Sequence, residues 1–231
     1  MEKIYNKQNQ KQINQSKGVY IAVLNQGHIR IELSYLLTDM THQNKYRLYL
    51  AYPAEKPISY NRNKIVKDFL SKPEYDYLMM IDSDIIPPLN YLDLVDFDKD
   101  IISGVCFAYI DNHIIPLVME YNKNTNEKPF VVKSFEGTEG LVEIDVCGTG
   151  AMIIKREVLE KVKAPFLNRY DENGIKTMGL DFSFCDKAKK EGFKVWCHLD
   201  FICSHWTGVD LKNMFNALQT RDEVKVMKLK G

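Results

Sequence analysis

The run YLMMIDSDIIPP, Tyr77 to Pro88, constrains this chain more than any other stretch. Its apolar part reads as the end of a buried strand, Tyr75 to Ile81, and it runs straight into Asp82 and Asp84. Burying an unpaired carboxylate is expensive. Either these acids cap an Asx-type turn ahead of Pro87 and Pro88, or they hold something positive. In an extended strand the two would sit on one face, ~6.6 Å apart along the backbone. Two carboxylates so placed repel unless a cation or hydrogen-bond donors intervene, and a divalent metal is the natural partner for oxygen ligands.

The flanking pattern says what kind of sheet this strand joins. Gly18 to Asn25 reads as a buried strand, which Gly27 breaks. HIRIELSYLLTDMTH then places Ile29, Leu33, Leu36 and Leu37 at helical spacing. Tyr46 to Tyr52 is a second strand, and PAEKPISYNRN, with Pro53 and Pro57, reads as a loop. NKIVKDFLSK predicts a short amphipathic helix that turns Ile65, Phe69 and Leu70 inward. Strand, helix, strand, helix, strand is the order of an α/β fold with parallel pairing. After Pro88 a short helix is expected, then a strand at DIISGVCFAY. IPLVMEY, PFVVKSF and GLVEIDVCG are shorter strand-like runs joined by turns at NKNTNEK and EGTEG, so this middle part is expected to be antiparallel. AMIIKREVLEKV runs from strand into helix, DFSFCDKAKKEG is a helix closed by Gly192, and FKVWCHLDFICSH is a late strand region.

Composition narrows the class. The 231 residues suggest one domain, and 45% of them are hydrophobic, enough for an ordinary core. Lys plus Arg and Asp plus Glu both total 31, so bulk charge does not favour nucleic acid as a partner. No apolar stretch approaches the roughly 20 residues of a membrane span, and the polar start lacks the apolar core of a signal peptide. Residues 1–16 read as a disordered polar leader, 17–206 as the folded domain, and 207–231 as a C-terminal helix and basic tail, with peripheral membrane contact as one use of that tail. A cytoplasmic location is the default expectation. The five cysteines, Cys106, Cys147, Cys185, Cys197 and Cys203, include no CxxC pair, so a disulfide framework is not expected. Cys197, His198, Cys203 and His205 cluster as a zinc site could, but their spacing fits no common zinc motif, and the cysteines read as core residues.

Taken singly, Asp181 is an acid at a helix start and His205 a histidine at a strand end. Taken in order, the apolar strand into Asp-x-Asp, then CGTGAMIIKREVLEKV, then GLDFSFCDKAKKEGFKVWCHLDFICSHW resemble the GT-A glycosyltransferases, especially the small family-2-type bacterial and viral ones. The resemblance covers roughly Val19 to Trp206, including YNRNKIVKDFL ahead of the Asp-x-Asp strand. It implies a single GT-A (Rossmann-like) α/β domain: a mixed, mainly parallel central sheet with a smaller antiparallel acceptor-side portion. It further implies a nucleotide-diphosphate sugar as donor, Mn²⁺ or Mg²⁺ as cofactor, and a glycan, lipid-linked or other hydroxyl as acceptor. On the matching positions, Asp82 lies near the ribose or metal shell, Asp84 ligates the metal and His205 completes the metal site. Asp181 matches the general base of inverting members. Asn25 and Arg62 fall where the family binds nucleotide, and Gly148, Thr149 and Gly150 match the loop lining donor sugar and acceptor. Many members carry Glu-Asp at the helix start; here Leu180-Asp181 keeps the base position without the neighbouring acid. Inversion is the expectation, and a retaining enzyme would not need Asp181 as base.

The chemistry agrees with that reading. A metal bridging the phosphates neutralises charge that grows as the sugar leaves, and a weakly nucleophilic hydroxyl needs a carboxylate to take its proton. Two other classes remain. A haloacid-dehalogenase-like phosphatase would use Asp82 as nucleophile and Asp84 as acid/base, although that motif normally ends the first strand of its sheet. A non-catalytic nucleotide-sugar binding module would keep the scaffold without turnover.

Overall fold

The computed structural model describes residues 17–110, 113–122, 130–134 and 138–208. The polar leader expected over residues 1–16, and the helix and tail expected beyond Gly208, lie outside the described residues, as do most of the two turns in the antiparallel region. The chain opens with β1 (Gly18–Leu24), α1 (Ile31–His42), β2 (Arg47–Ala51), α2 (Ile58–Leu70) and β3 (Tyr77–Asp82). After β4 (Ile85–Ile86) a 3-10 helix covers Tyr91–Phe97, followed by β5 (Ile101–Val105), β6 (Phe107–Ile110), β7 (His113–Pro116), β8 (Val118–Tyr121) and β9 (Phe130–Val132). The remainder is β10 (Leu141–Ile144), β11 (Val146–Cys147), β12 (Ala151–Lys155), α3 (Arg156–Lys161), β13 (Arg169–Tyr170), β14 (Lys176–Met178), α4 (Leu180–Lys190), β15 (Val195–Ile202) and β16 (Ser204–His205).

Seven strands make the central sheet, in the order β10-β15-β5-β12-β3-β1-β2. β1, β2 and β3 are parallel neighbours, as are β5 and β15, while β12 and β10 run against their partners. The sheet is thus mixed, with five of its seven strands pointing one way. β8, β9 and β11 form a small antiparallel sheet, and β6–β7, β13–β14 and β4–β16 are two-stranded pairs.

The unbroken apolar strands follow from helices covering both sheet faces. Along β1, Tyr20, Ala22 and Leu24 face one way and pack with Ile65 and Phe69 of α2 and Phe184 of α4. Val19, Ile21 and Val23 face the other way and pack with Leu33, Leu36 and Leu37 of α1 and Tyr91 of the 3-10 helix. Strand β3 repeats the alternation, with Leu78 and Met80 on the first face and Met79 and Ile81 on the second. Each fully buried aliphatic side chain contributes about 1.5–3 kcal/mol relative to exposure. All five cysteines are buried and free.

Several expectations change: the run read as one strand at DIISGVCFAY is two, β5 and β6, broken at Cys106, and β10 joins the central sheet rather than the antiparallel portion. Helix α2 begins at Ile58, inside the segment read as a loop, because Pro57 stands at its N-cap, where proline's fixed φ costs nothing. The longer helix carries Asn61, Arg62, Ile65, Val66 and Phe69 on its buried face, leaving Leu70 only partly buried. Strand β3 ends at Asp82, and Ser83 and Asp84 form a turn before β4. Asp82 and Asp84 therefore do not share one face of an extended strand; the turn swings Asp84 out towards the end of the chain.

Candidate functional site

The carboxyl ends of β1 and β3 meet in register at Leu24 and Asp82, and the Ser83 amide donates to the Leu24 carbonyl. β12 runs antiparallel beside β3, so the loop before it, Gly148 to Gly150, arrives at the same end. The Asp82 amide donates to the Gly150 carbonyl at 2.9 Å. Crevices at the carboxyl ends of strands are where open α/β sheets bind ligands.

Arg62 reaches this end from α2. Its side chain is only 5% exposed, and its Nη2 donates to both oxygens of Asp82, at 3.0 and 3.2 Å. Its Nη1 lies 3.4 Å from the Thr149 carbonyl oxygen, which accepts. A buried guanidinium needs an opposite charge, and Asp82 supplies it. The Asp82 carboxyl pKa is nevertheless raised: burial is the main cause, the Asp181 and Asp84 carboxylates add to it, and Arg62 opposes it.

Thr149, fully buried, joins this pair to Asp181. Its hydroxyl donates to Asp181 Oδ1 at 2.7 Å and its amide to Oδ2 at 3.2 Å. Asp181 lies in the first turn of α4. Each oxygen keeps a lone pair for a further donor. Gly150 leaves the space beside these acids open, since a Cβ there would stand 3.0 Å from Ile85 Cγ1 and 3.6 Å from Asp82 Oδ2. At Gly148 a Cβ would press on Leu117 Cδ1 at 2.7 Å.

Asp84 and His205, far apart in sequence, meet because β4 and β16 pair, with His205 opposite Ile85. Asp84 Oδ2 is 3.5 Å from His205 Nε2. The other ring nitrogen, Nδ1, lies 2.6 Å from the Phe107 carbonyl oxygen. A carbonyl only accepts, so Nδ1 carries a proton, and in the neutral ring Nε2 then presents a lone pair. A lone pair facing a carboxylate oxygen calls for something positive between them, a proton or a cation. A hydrogen bond from Nδ1 to a carbonyl is also the usual way to fix a metal-binding imidazole.

Not every expected ligand gathers there. Among the described residues no group of three or more His, Cys, Asp or Glu side chains has metal-binding geometry. Asp84 and His205 stand together as a pair, while Asp82 is turned to Arg62. Two protein ligands suit Mg²⁺ or Mn²⁺, which complete their shells with water and phosphate oxygens. Asn25 is occupied locally. Its Oδ1 accepts from the Gly27 amide at 2.9 Å, and its Nδ2 donates to the Val23 and Pro53 carbonyls at 3.2 and 3.4 Å. It shapes the turn after β1, and Gly27 provides the positive φ of 97° that the turn requires. Two residues beside the site had no motif to announce them: Arg30, stacked on Trp206, and Phe107, which acts through its backbone. The only available signal was that Trp206 directly follows His205.

No family model matches the sequence, and no curated protein is similar enough to count as a relative. Solved structures do match in shape. A197 from STIV has a TM-score of 0.56 at 19% identity, over 83% of this chain and 86% of that one. A nucleoside-diphosphate-sugar pyrophosphorylase from Vibrio cholerae RC9 has a TM-score of 0.44 at 12% identity, over 94% and 85%. S. aureus TarS 1–349 has a TM-score of 0.43 at 13% identity, over 88% and 63%. The first likeness bears on the fold alone, and that fold is GT-A-like, a mixed α/β sheet with small antiparallel additions.

Proposed function

We propose that this chain is a metal-dependent glycosyltransferase that moves a sugar from a nucleotide-diphosphate sugar to an acceptor hydroxyl with inversion. One observation carries the reading: Asp84, paired with His205, and Asp181, held by Thr149, both lie near enough to the Arg62-bound Asp82 to push its carboxyl pKa up. In this proposal Asp84 and the Nε2 lone pair of His205 hold a divalent ion. When bound, that ion supplies charge neutralisation to the departing diphosphate. Arg62 keeps Asp82 ionised enough to accept hydrogen bonds from the donor's ribose. Thr149 fixes both Asp181 oxygens, so that a free lone pair of one can take the proton of the acceptor hydroxyl as its oxygen attacks the anomeric carbon. Gly150 leaves room for the sugar to approach the backbone.

The phosphatase alternative loses support from the same geometry. An Asp82 whose two oxygens both accept from a buried arginine is a poor nucleophile. The acceptor is proposed to be a glycan, lipid-linked or other hydroxyl compound. Among the described residues no helix is long and apolar enough to cross a membrane.

The test is a thermal-shift screen of nucleoside diphosphates with Mn²⁺ and with EDTA, followed by donor turnover. Wild type should be stabilised by one or two bases, and more strongly with Mn²⁺ than with EDTA. Asp84→Ala should lose the Mn²⁺-dependent part of that stabilisation together with turnover. Asp181→Asn should keep the stabilisation and lose transfer by at least about 100-fold, the scale of general-base catalysis. A wild type that no nucleoside diphosphate stabilises, or an Asp181→Asn variant within a few-fold of wild type, would count against the assignment.

A further inference from the structure

We infer that Arg30 is a second, metal-independent grip on the donor's diphosphate, restrained by Glu32 until the nucleotide arrives. This rests on the nucleotide-sugar reading above. Arg30 precedes α1 and is tied to the acid-bearing turn at two points. Its amide donates to the carbonyl of Ser83, the residue between Asp82 and Asp84, at 3.4 Å. Its guanidinium carbon sits 4.0 Å from the centroid of the Trp206 ring. Trp206 in turn donates its amide to the Asp84 carbonyl at 2.9 Å. The stack holds a planar guanidinium beside the Asp84 turn, which reduces what the side chain loses on binding.

The hydrogen-bonding of this side chain is incomplete. Among the described residues, one of the five guanidinium N–H donors is used, Nη2 to Glu32 Oε1 at 3.1 Å. The Nε is hidden from solvent and has no partner among them. The Glu32 pair is itself weak, since both side chains are a third or more exposed, at 34% and 44%. A diphosphate offers two oxygens to the same fork, and a bidentate arginine–phosphate contact is stronger than a solvent-screened ion pair.

Charge balance points the same way. Asp82, Asp84 and Asp181 carry three negative charges against the one positive charge of Arg62. A divalent ion brings that sum to zero and leaves a bound diphosphate still unbalanced. Arg30 is the cation stacked at the Asp84 turn, on the residue that follows His205.

Calorimetric titration of the full chain with UDP, GDP, CDP, ADP and dTDP, each in Mn²⁺ and in EDTA, tests this. Arg30→Ala should weaken binding by about tenfold in both conditions, as loss of a charge-assisted contact does. Asp84→Ala should weaken it only in Mn²⁺. Arg30→Lys should restore part of the loss, because lysine keeps the charge without the fork. Glu32→Gln, which frees the guanidinium, should tighten binding in both conditions. If wild type binds a nucleoside diphosphate and Arg30→Ala binds it equally well, or loses affinity only in Mn²⁺, the inference is overturned while the glycosyltransferase reading stands. If wild type binds none of the five, that reading fails first and the inference with it. Should Arg30→Ala not fold, Glu32→Gln decides, and unchanged or weaker binding by that variant overturns the inference.

Discussion

At the scale of single residues, the Arg62–Asp82 pair is asymmetric, and the asymmetry can be measured. Arg62 is almost fully buried, whereas about a third of the Asp82 side chain, 32%, still reaches solvent. Asp82→Asn would strand the more buried charge without a counter-ion, a loss of about 3–5 kcal/mol. Arg62→Met would strand a carboxyl that can bind a proton or water, so its cost should be smaller, about 1–3 kcal/mol. Urea denaturation of both variants at neutral pH gives the comparison. If Arg62→Met proved the more damaging, the view of Asp82 as counter-ion to a buried cation would be wrong. The sequence carried a signal for this pair. Arg62, Ile65, Val66 and Phe69 repeat at i, i+3, i+4 and i+7, so an arginine occupied a core-facing helix position. What stayed hidden was its partner. Nothing in the spacing of 62 and 82 says that Asp82 answers the arginine while Asp84 answers the histidine. That division depends on the turn at Ser83 and Asp84, where strand periodicity stops applying.

At the scale of elements, His205 owes its position to an irregularity in β15. The ladder with β5 runs in step from Val195 and Ile101 to His198 and Gly104, then resumes at Ile202 and Val105. The extra residues of β15 loop over Gly104, and a Cβ there would lie 2.1 Å from the Phe201 carbonyl oxygen. Only glycine fits. The excursion lets β15 continue into β16, which pairs with β4 and brings His205 to Asp84. Gly104→Ala should therefore cost about 3 kcal/mol, at the upper end of overpacking. It should also weaken metal-dependent nucleotide binding more than Ile154→Val, a core change far from β16. Equal effects on binding would mean that the bulge does not position His205. Strands and helices of regular pattern were legible: β1, β3 and β12 as apolar runs, and α4 up to its closure at Gly192, whose φ is 90°. The start of α2 was obscured by Pro57, which marks loops and helix starts alike. Short pairs such as β6–β7 and β13–β14 carry too few residues for any periodicity to register.

At the scale of the whole molecule, the small antiparallel sheet is tied to α4, the helix whose first turn holds Asp181. Asp186 of α4 is a principal clasp. It accepts from the Tyr121 hydroxyl of β8 at 2.7 Å and pairs with Arg169 of β13 at 2.5 Å and with Lys190 at 2.9 Å. One side chain thus joins the small sheet, the β13–β14 hairpin and the helix whose first turn holds Asp181. Burial pushes the Asp186 carboxyl pKa up, but its bonds to Lys190, Tyr121 and Arg169 outweigh that, and the net pKa lies below the ordinary aspartate value of 3.8. A lowered folded value means that the clasp adds stability above the ordinary value and loses it as pH falls through the lowered one. Asp186→Asn removes the charge at every pH and leaves Arg169 and Lys190 without it. With an Asp186 side chain 11% exposed and an Arg169 side chain 33% exposed, solvent screens part of the effect, so the loss at neutral pH should be about 2–3 kcal/mol. For a chain of this length that is a fall in Tm of roughly 4–12 °C. The gap between wild type and variant should be full at pH 7 and should narrow steadily below pH ~4, as wild type protonates and loses the same interactions. Thermal unfolding of both proteins from pH 7 down to the lowest pH at which wild type still folds gives the curve. A gap that stayed constant into acid would show that the carboxylate charge is not what holds the small antiparallel sheet against α4, and the clasp would then have to be sought in the apolar contacts of Phe130 with Phe182.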